Sequence, residues 1–448
     1  MIPKTNASKT PIWERYIKII RLGLPILIGQ LGMIIVGFAD TKMVGVYSTE
    51  ALASASFVNN LFNVCIFACT GFTYGLTPLI GAMFARKDTD GIGSYLRNGL
   101  LVNLIFALAI TAIMAVIYLN LHRLGQPEEL LPHIRPYYLI YLAGIIPISI
   151  FNVFAQWAYA INRTRMPMWI ILSANILNII GNYMLIYGHF GCPELGLNGA
   201  GIATLTARLF CTIAIIAVFC FRKDYRKYRN GFSDAHLNCS ELRKIATTSW
   251  PVAMQMTFES GSFTIAAIMA GWIDAISLAA YQIVVITGTL GFCVYYSAAA
   301  AVSVLVANAA GLSDSREMRR TAFAGYHIIL SLATCASLLF IFAGPWIMNQ
   351  FSNDPRVIST ALSLIVPLVI YQYADATQIN FANSLRGTAH VMPMVWIAFF
   401  SYVIIGIPAT YILAFPLGLG CYGIILSFSI SLFIAAALFI RFFLRATR

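Results

Sequence analysis

Three carboxylates stand inside long apolar stretches of this 448-residue chain: Asp40, Glu259 and Asp375. A charged side chain at the centre of a bilayer costs on the order of 2.5–3.5 kcal/mol on insertion scales. Such groups face a bundle interior or a water-filled path, where they bind or relay ions. The alternative is a protonated or hydrogen-bonded carboxylate that ties helices together. Asn178 and Asn182 lie four residues apart, hence on one helical face. Amide oxygens beside a carboxylate and a hydroxyl make a hard-oxygen set that suits Na⁺. The alternative there is an interhelical amide bond, worth about 0.6 kcal/mol in membranes.

Other chemistry finds little support. His122, His133, His189, His236, His327 and His390 are scattered, with no HExxH pattern, and the nine cysteines show no CxxC or metal spacing. No GxxxxGK[ST] sequence is present, which argues against direct use of ATP. The expectation is a protein that is not an enzyme and holds no resident cofactor, with Na⁺ or H⁺ as a coupling ion.

The elements that must position these residues are membrane spans. The chain is 59% hydrophobic and only 10% charged, with a mean hydropathy of +0.79. Soluble domains carry roughly 25% charged residues. Apolar runs long enough to cross a bilayer fall near 15–46, 51–84, 98–120, 133–161, 166–188, 199–221, 244–272, 277–310, 321–345, 357–385, 392–415 and 419–444. The fold class is therefore an all-α polytopic membrane protein with twelve spans. The first run is too long for a signal-peptide core and is expected to be retained.

The net charge of +12 follows the loops. Of the 29 Lys and Arg residues, 24 lie in alternate loops, including Lys4, Lys9, Arg15, Arg86, Arg163, the 222–243 loop and Arg448. Basic residues mark cytoplasmic loops, so both termini are expected on the cytoplasmic side. The same distribution turns the charge away from nucleic acid and towards a lipid bilayer.

A shift of 226 residues aligns the two halves of the chain. Pro25 meets Pro251, Gly45 meets Gly271, Asp88 meets Asp314, and Met166-Pro167-Met168 meets Met392-Pro393-Met394. Near the ends of the halves, Leu195-Gly196-Leu197 meets Leu417-Gly418-Leu419 at a shift of 222. Each half has six spans, so the copies run in the same direction and relate by a pseudo-two-fold along the membrane normal. The predicted organisation is an N-terminal lobe over 1–221, a basic linker over 222–243 and a C-terminal lobe over 244–448. A substrate path between two rocking lobes would follow. The carboxylates do not repeat with the scaffold: Asp40, Glu259 and Asp375 meet Ala266, Met33 and Ser149. The lobes are therefore expected to differ in chemistry.

The stretch Pro25-Ile-Leu-Ile-Gly-Gln, with Phe38-Ala-Asp40-Thr-Lys-Met-Val-Gly45 and Glu50-Ala-Leu-Ala53, resembles the first-helix signature of the MATE (multidrug and toxic compound extrusion) family. The likeness is to its NorM-like bacterial branch. Pro251-Val-Ala-Met-Gln, Phe258-Glu259, Ala279-Ala-Tyr-Gln282, Tyr371-Gln-Tyr-Ala-Asp375 and Leu385-Arg-Gly387 carry it through the second half. The resemblance implies an antiporter of the bacterial inner membrane that exports small organic, often cationic compounds against inward Na⁺ or H⁺. It implies a C-lobe cation site at Glu259, Gln282, Tyr371 and Asp375, and an N-lobe site at Asp40, Asn178, Asn182 and Thr204. It also implies a bend near Pro25, where the missing N–H weakens the helix; a plain kink is the alternative. Lys42 departs from the pattern: either it snorkels to the outer interface, or it reaches the cavity, where it would repel Na⁺ and cationic compounds and weaken the N-lobe assignment. Because one chain holds both lobes, a monomer is expected. A lipid-linked oligosaccharide flippase of the same superfamily is the rival reading, and it would be expected to carry more interior basic residues than Arg208.

Overall fold

A computed structural model describes residues 11–123, 127–352 and 354–448, all-helical with no strand among them. Lys4 and Lys9, part of the expected basic N-terminus, lie outside the described residues. The long helical runs are α1 (Ile12–Tyr47), α2 (Thr49–Ala85), α3 (Thr89–Leu119), α4 (Glu128–Ala160), α5 (Arg165–Tyr187) and α6 (Leu197–Phe221). They continue as α7 (Cys239–Ile273), then α8 (Ala275–Gly311), α9 (Ser315–Asn349), α10 (Pro355–Ser363 with Ile365–Gly387), α11 (Met392–Ala414) and α12 (Gly420–Ala446).

Ten of these runs are long and apolar enough to cross a membrane, and α10, bent by 46°, makes an eleventh. The exception among the twelve expected spans is α7. It carries Glu241, Arg243, Lys244 and Glu259, and many of its other residues are Ser or Thr. A helix enclosed by neighbours does not need to be apolar all round.

The sequence repeat reappears in local backbone detail. Ser48 caps α2 by accepting from the Ala51 N–H, and Asp274 caps α8 by accepting from the Ser277 N–H. Asp88 and Asp314 cap α3 and α9 in the same way, at 2.8 and 2.9 Å. Each follows a residue in the left-handed region, Lys87 (φ 59°) and Ser313 (φ 57°). Gly196 (φ 54°) and Gly418 (φ 66°) are likewise matched. One departure is a π-helical segment inside α11, at Phe399–Gly406. Pro408 has no N–H to offer the carbonyl of residue 404, and the wider turn accommodates the loss.

The chain forms two compact units. The C unit joins the residues up to Leu27 with Phe258–Arg448, and the N unit is Ile28–Thr257. The units thus part inside α1 and α7, and not at the 222–243 loop that the charge pattern singles out. The start of each repeat's first helix packs into the other repeat's unit. In the C unit, Arg15 of α1 makes a two-point ion pair with Glu317 of α9, at 2.9 and 2.7 Å. In the N unit, Glu241 of α7, which is 226 residues after Arg15, accepts from Ser94 and Asn98 of α3 at 2.7 Å each. Packing at these starts is close. A Cβ on Gly75 of α2 would lie 2.5 Å from the Ser249 Cα of α7, so only glycine permits the approach.

Candidate functional site

In the N unit, α1, α5 and α6 bring four of the expected residues together. Asn182 donates its amide to Asp40 Oδ1 and lies 3.2 Å from Asn178 Oδ1. In one amide orientation Asn178 donates to Thr204 Oγ1 at 3.3 Å. In the other it lies 2.8 Å from Asp40 Oδ1 and accepts from Thr204. The i, i+4 spacing of the two asparagines on α5 is what aims both amides at the carboxylate. Asn178 and Asn182 are buried, and Asn182 Oδ1 has no hydrogen-bond partner in the structure. Asp40, Asn178, Asn182 and Thr204 therefore form one hydrogen-bonded cluster in which amide N–H groups face the carboxylate. Lys42 is exposed, two residues along α1 from Asp40.

In the C unit, α7, α8, α10 and α11 surround Glu259 and Asp375. Asp375 is only 2% exposed, and its Oδ2 accepts no hydrogen bond. Glu259, Tyr371 and Tyr402 all act on it or on one another electrostatically. Tyr371 packs on Phe263 and Phe428, with ring centroids 6.3 and 6.4 Å away. Gln282, by contrast, is exposed on α8, and the neighbouring Tyr281 is the buried one, donating to the Phe263 carbonyl at 3.0 Å. Of the four residues implied for this lobe, Glu259, Tyr371 and Asp375 act on one another electrostatically, and Gln282 is exposed on α8.

Sequence reasoning missed a pair of buried polar side chains near Asp375. Gln372 is fully buried with both amide atoms unpartnered, and the Tyr295 hydroxyl is buried and unpartnered too. Both face Gly291 of α8, where an added Cβ would lie 2.7 Å from Gln372 Oε1 and 3.0 Å from Tyr295 Oη. Buried polar atoms of this kind are normally satisfied by water or an ion. The one sequence signal was the glycine pair Gly288 and Gly291, which thins α8 on the face turned to α10.

Pro25 lies inside an unbroken α1, two residues before the point where that helix leaves the C unit.

The MatE family model matches residues 25–184 and 251–412, one stretch in each half of the chain. The chain belongs to the MatE family. The two matched stretches hold both carboxylate clusters except Thr204. Among similar curated proteins of this transporter family is a probable multidrug resistance protein NorM of Photorhabdus laumondii. It is 28% identical over 408 residues, covering 91% of this chain and 89% of that relative. Another of the same description, from Geobacillus kaustophilus, is 28% identical over 446 residues, covering 99% and 96%. A crystal structure of MATE in the bent conformation superposes with a TM-score of 0.87 at 18% identity, covering 98% of each chain. A crystal structure of MATE in the straight conformation matches with a TM-score of 0.86 at 19% identity. The fold of this MatE protein is therefore that of known MATE structures, and the chain is an integral membrane protein of a transporter family.

Proposed function

We propose that this protein is an ion-coupled multidrug exporter working by alternating access, with Na⁺ or H⁺ moving inward as small organic compounds move out. It acts as a monomer in a bacterial inner membrane, with both termini cytoplasmic. The observation that carries the reading is Asp375: a carboxylate buried in a membrane helix, beside Glu259, with no hydrogen-bond donor on Oδ2. Two neighbouring carboxylates in low dielectric do not both stay ionised without a cation or proton between them. Entry of that cation discharges the site, and a bound organic cation loses its attraction to it. The Asp40 cluster in the N unit offers a second place for the same exchange. The membrane potential supplies about 2.3 kcal/mol per charge per 100 mV.

The test is efflux of a fluorescent organic cation from everted vesicles under an imposed Na⁺ gradient at fixed pH, and separately under a pH gradient without Na⁺. Glu259→Gln and Asp375→Asn are each expected to lower gradient-driven efflux at least tenfold. Full efflux in both variants under both gradients removes the coupling role. Asp40→Asn, run in parallel, reports whether the N unit shares it.

A further inference from the structure

The N unit holds a cation as well as a carboxylate. Arg208 lies in the middle of α6, a span of 25 residues, and is half-buried. Among the described residues its guanidinium makes no ion pair and no hydrogen bond; its Cζ lies 4.9 Å from the centre of the Tyr141 ring. An arginine inside a span normally pairs with a carboxylate or a carbonyl. Here the surroundings are shaped to hold it without pairing it. Gly144, at the break in α4, has no side chain, and a Cβ there would lie 2.5 Å from Arg208 Nη1. Tyr141 is itself fixed by Tyr137 and Phe62, with ring centroids 4.9 and 5.6 Å away.

Arg208 also stands in fixed register with the Asp40 cluster. Thr204, which touches Asn178, is four residues earlier on α6 and therefore one turn away on the same face. Asn178 and Asn182 link Thr204 to Asp40. A negative group and a positive group thus sit at two ends of one polar track, each with donors or a ring beside it. Asp40 and Arg208 thus bring opposite charges close enough to act on each other within the N unit.

We propose that Asp40 and Arg208 form a two-ended subsite for zwitterionic substrates, with Asp40 taking the ammonium or iminium end and Arg208 taking a carboxylate or similar anionic group. This rests on the exporter reading and deepens it: the N unit selects zwitterions, and the C unit keeps the coupling ion. A guanidinium binds a carboxylate through two parallel hydrogen bonds. Tyr141 keeps the planar group face-on until a substrate anion arrives.

The experiment uses one rigid dye in two forms, a rhodamine free acid (zwitterion) and its methyl ester (cation), bound to the purified full-length protein and followed by fluorescence anisotropy. Arg208→Gln is expected to weaken the free acid about 10- to 100-fold, the usual worth of a charge-assisted pair, and to leave the ester within about twofold. Arg208→Lys is expected to fall between wild type and Arg208→Gln. Gly144→Ala, which displaces the guanidinium without deleting its charge, serves if Arg208→Gln does not fold, and is expected to weaken the free acid alone. Equal loss of both dyes, or equal retention of both, overturns the subsite. Wild-type binding of the ester alone overturns it too and leaves the exporter reading standing; binding of neither dye removes both.

Discussion

Glu259, Tyr371 and Asp375 meet because α7 and α10 each present one polar stripe towards the same interior. Gln372, one turn before Asp375 on α10, and Tyr295 meet at Gly291 of α8. Gly291→Ala would set a methyl group 2.7 Å from Gln372 Oε1 and push that amide off its position. It is expected to reduce ion-driven efflux at least tenfold with little change in protein yield. Gly261→Ala on α7 is the control, since nothing lies within 4 Å of its added Cβ; efflux by this variant should match wild type. Equal effects of the two substitutions, measured in the same vesicles, would detach this pair from coupling. The charged residues of this site were legible in the sequence because they are costly in an apolar run. Tyr281, Tyr295, Gln372 and Tyr402 were not, because a tyrosine or a single amide in a membrane helix reads the same whether it packs, caps or binds.

At the level of helices, the caps and turns are the repeat's most faithful features. Asp314 accepts from the Glu317 N–H and places negative charge at the start of α9. Asp314→Ala is expected to cost about 1 kcal/mol, read as a lower midpoint in a thermal unfolding assay with a thiol-reactive dye. Ala389 points the other way. It sits at φ 62° in the turn after α10, a conformation that costs an L-residue with a Cβ about 1 kcal/mol. Ala389→Gly is expected to raise the same midpoint. Turn and cap residues are readable locally, since their preferences depend on a few neighbouring atoms. The π-helical turn in α11 was less so: Pro408 announces a lost hydrogen bond, but whether the helix kinks or widens depends on what packs around Tyr402 and Ser401.

At the scale of the molecule, the exchange of helix starts has the largest consequence. The segment of α1 up to Leu27 belongs to the C unit, and the segment of α7 up to Thr257 belongs to the N unit. Neither six-span half carries a complete unit. Severing the chain between Leu237 and Asn238, in the exposed non-helical stretch before α7, is expected to give two fragments that fail to accumulate singly and assemble when co-expressed. Accumulation of either fragment alone, judged by membrane yield and protease resistance, would contradict the exchange. Pro25, two residues before the crossing in α1, and Pro251, six before it in α7, each remove one helix hydrogen bond near those crossings.

The amino-acid sequence alone determined the membrane class, the repeat and the three costly carboxylates, because each depends on solvent preference or on the pattern along the chain. It also named Asn178 and Asn182 as a pair, since helical spacing by itself puts them on one face. Tertiary structure decided what lies between distant positions. It left Gln282 exposed, set Tyr295 and Gln372 near Asp375, placed Arg208 over the Tyr141 ring, and divided the units within helices. Those outcomes turn on which helix faces meet, and that is fixed by the packing of whole surfaces.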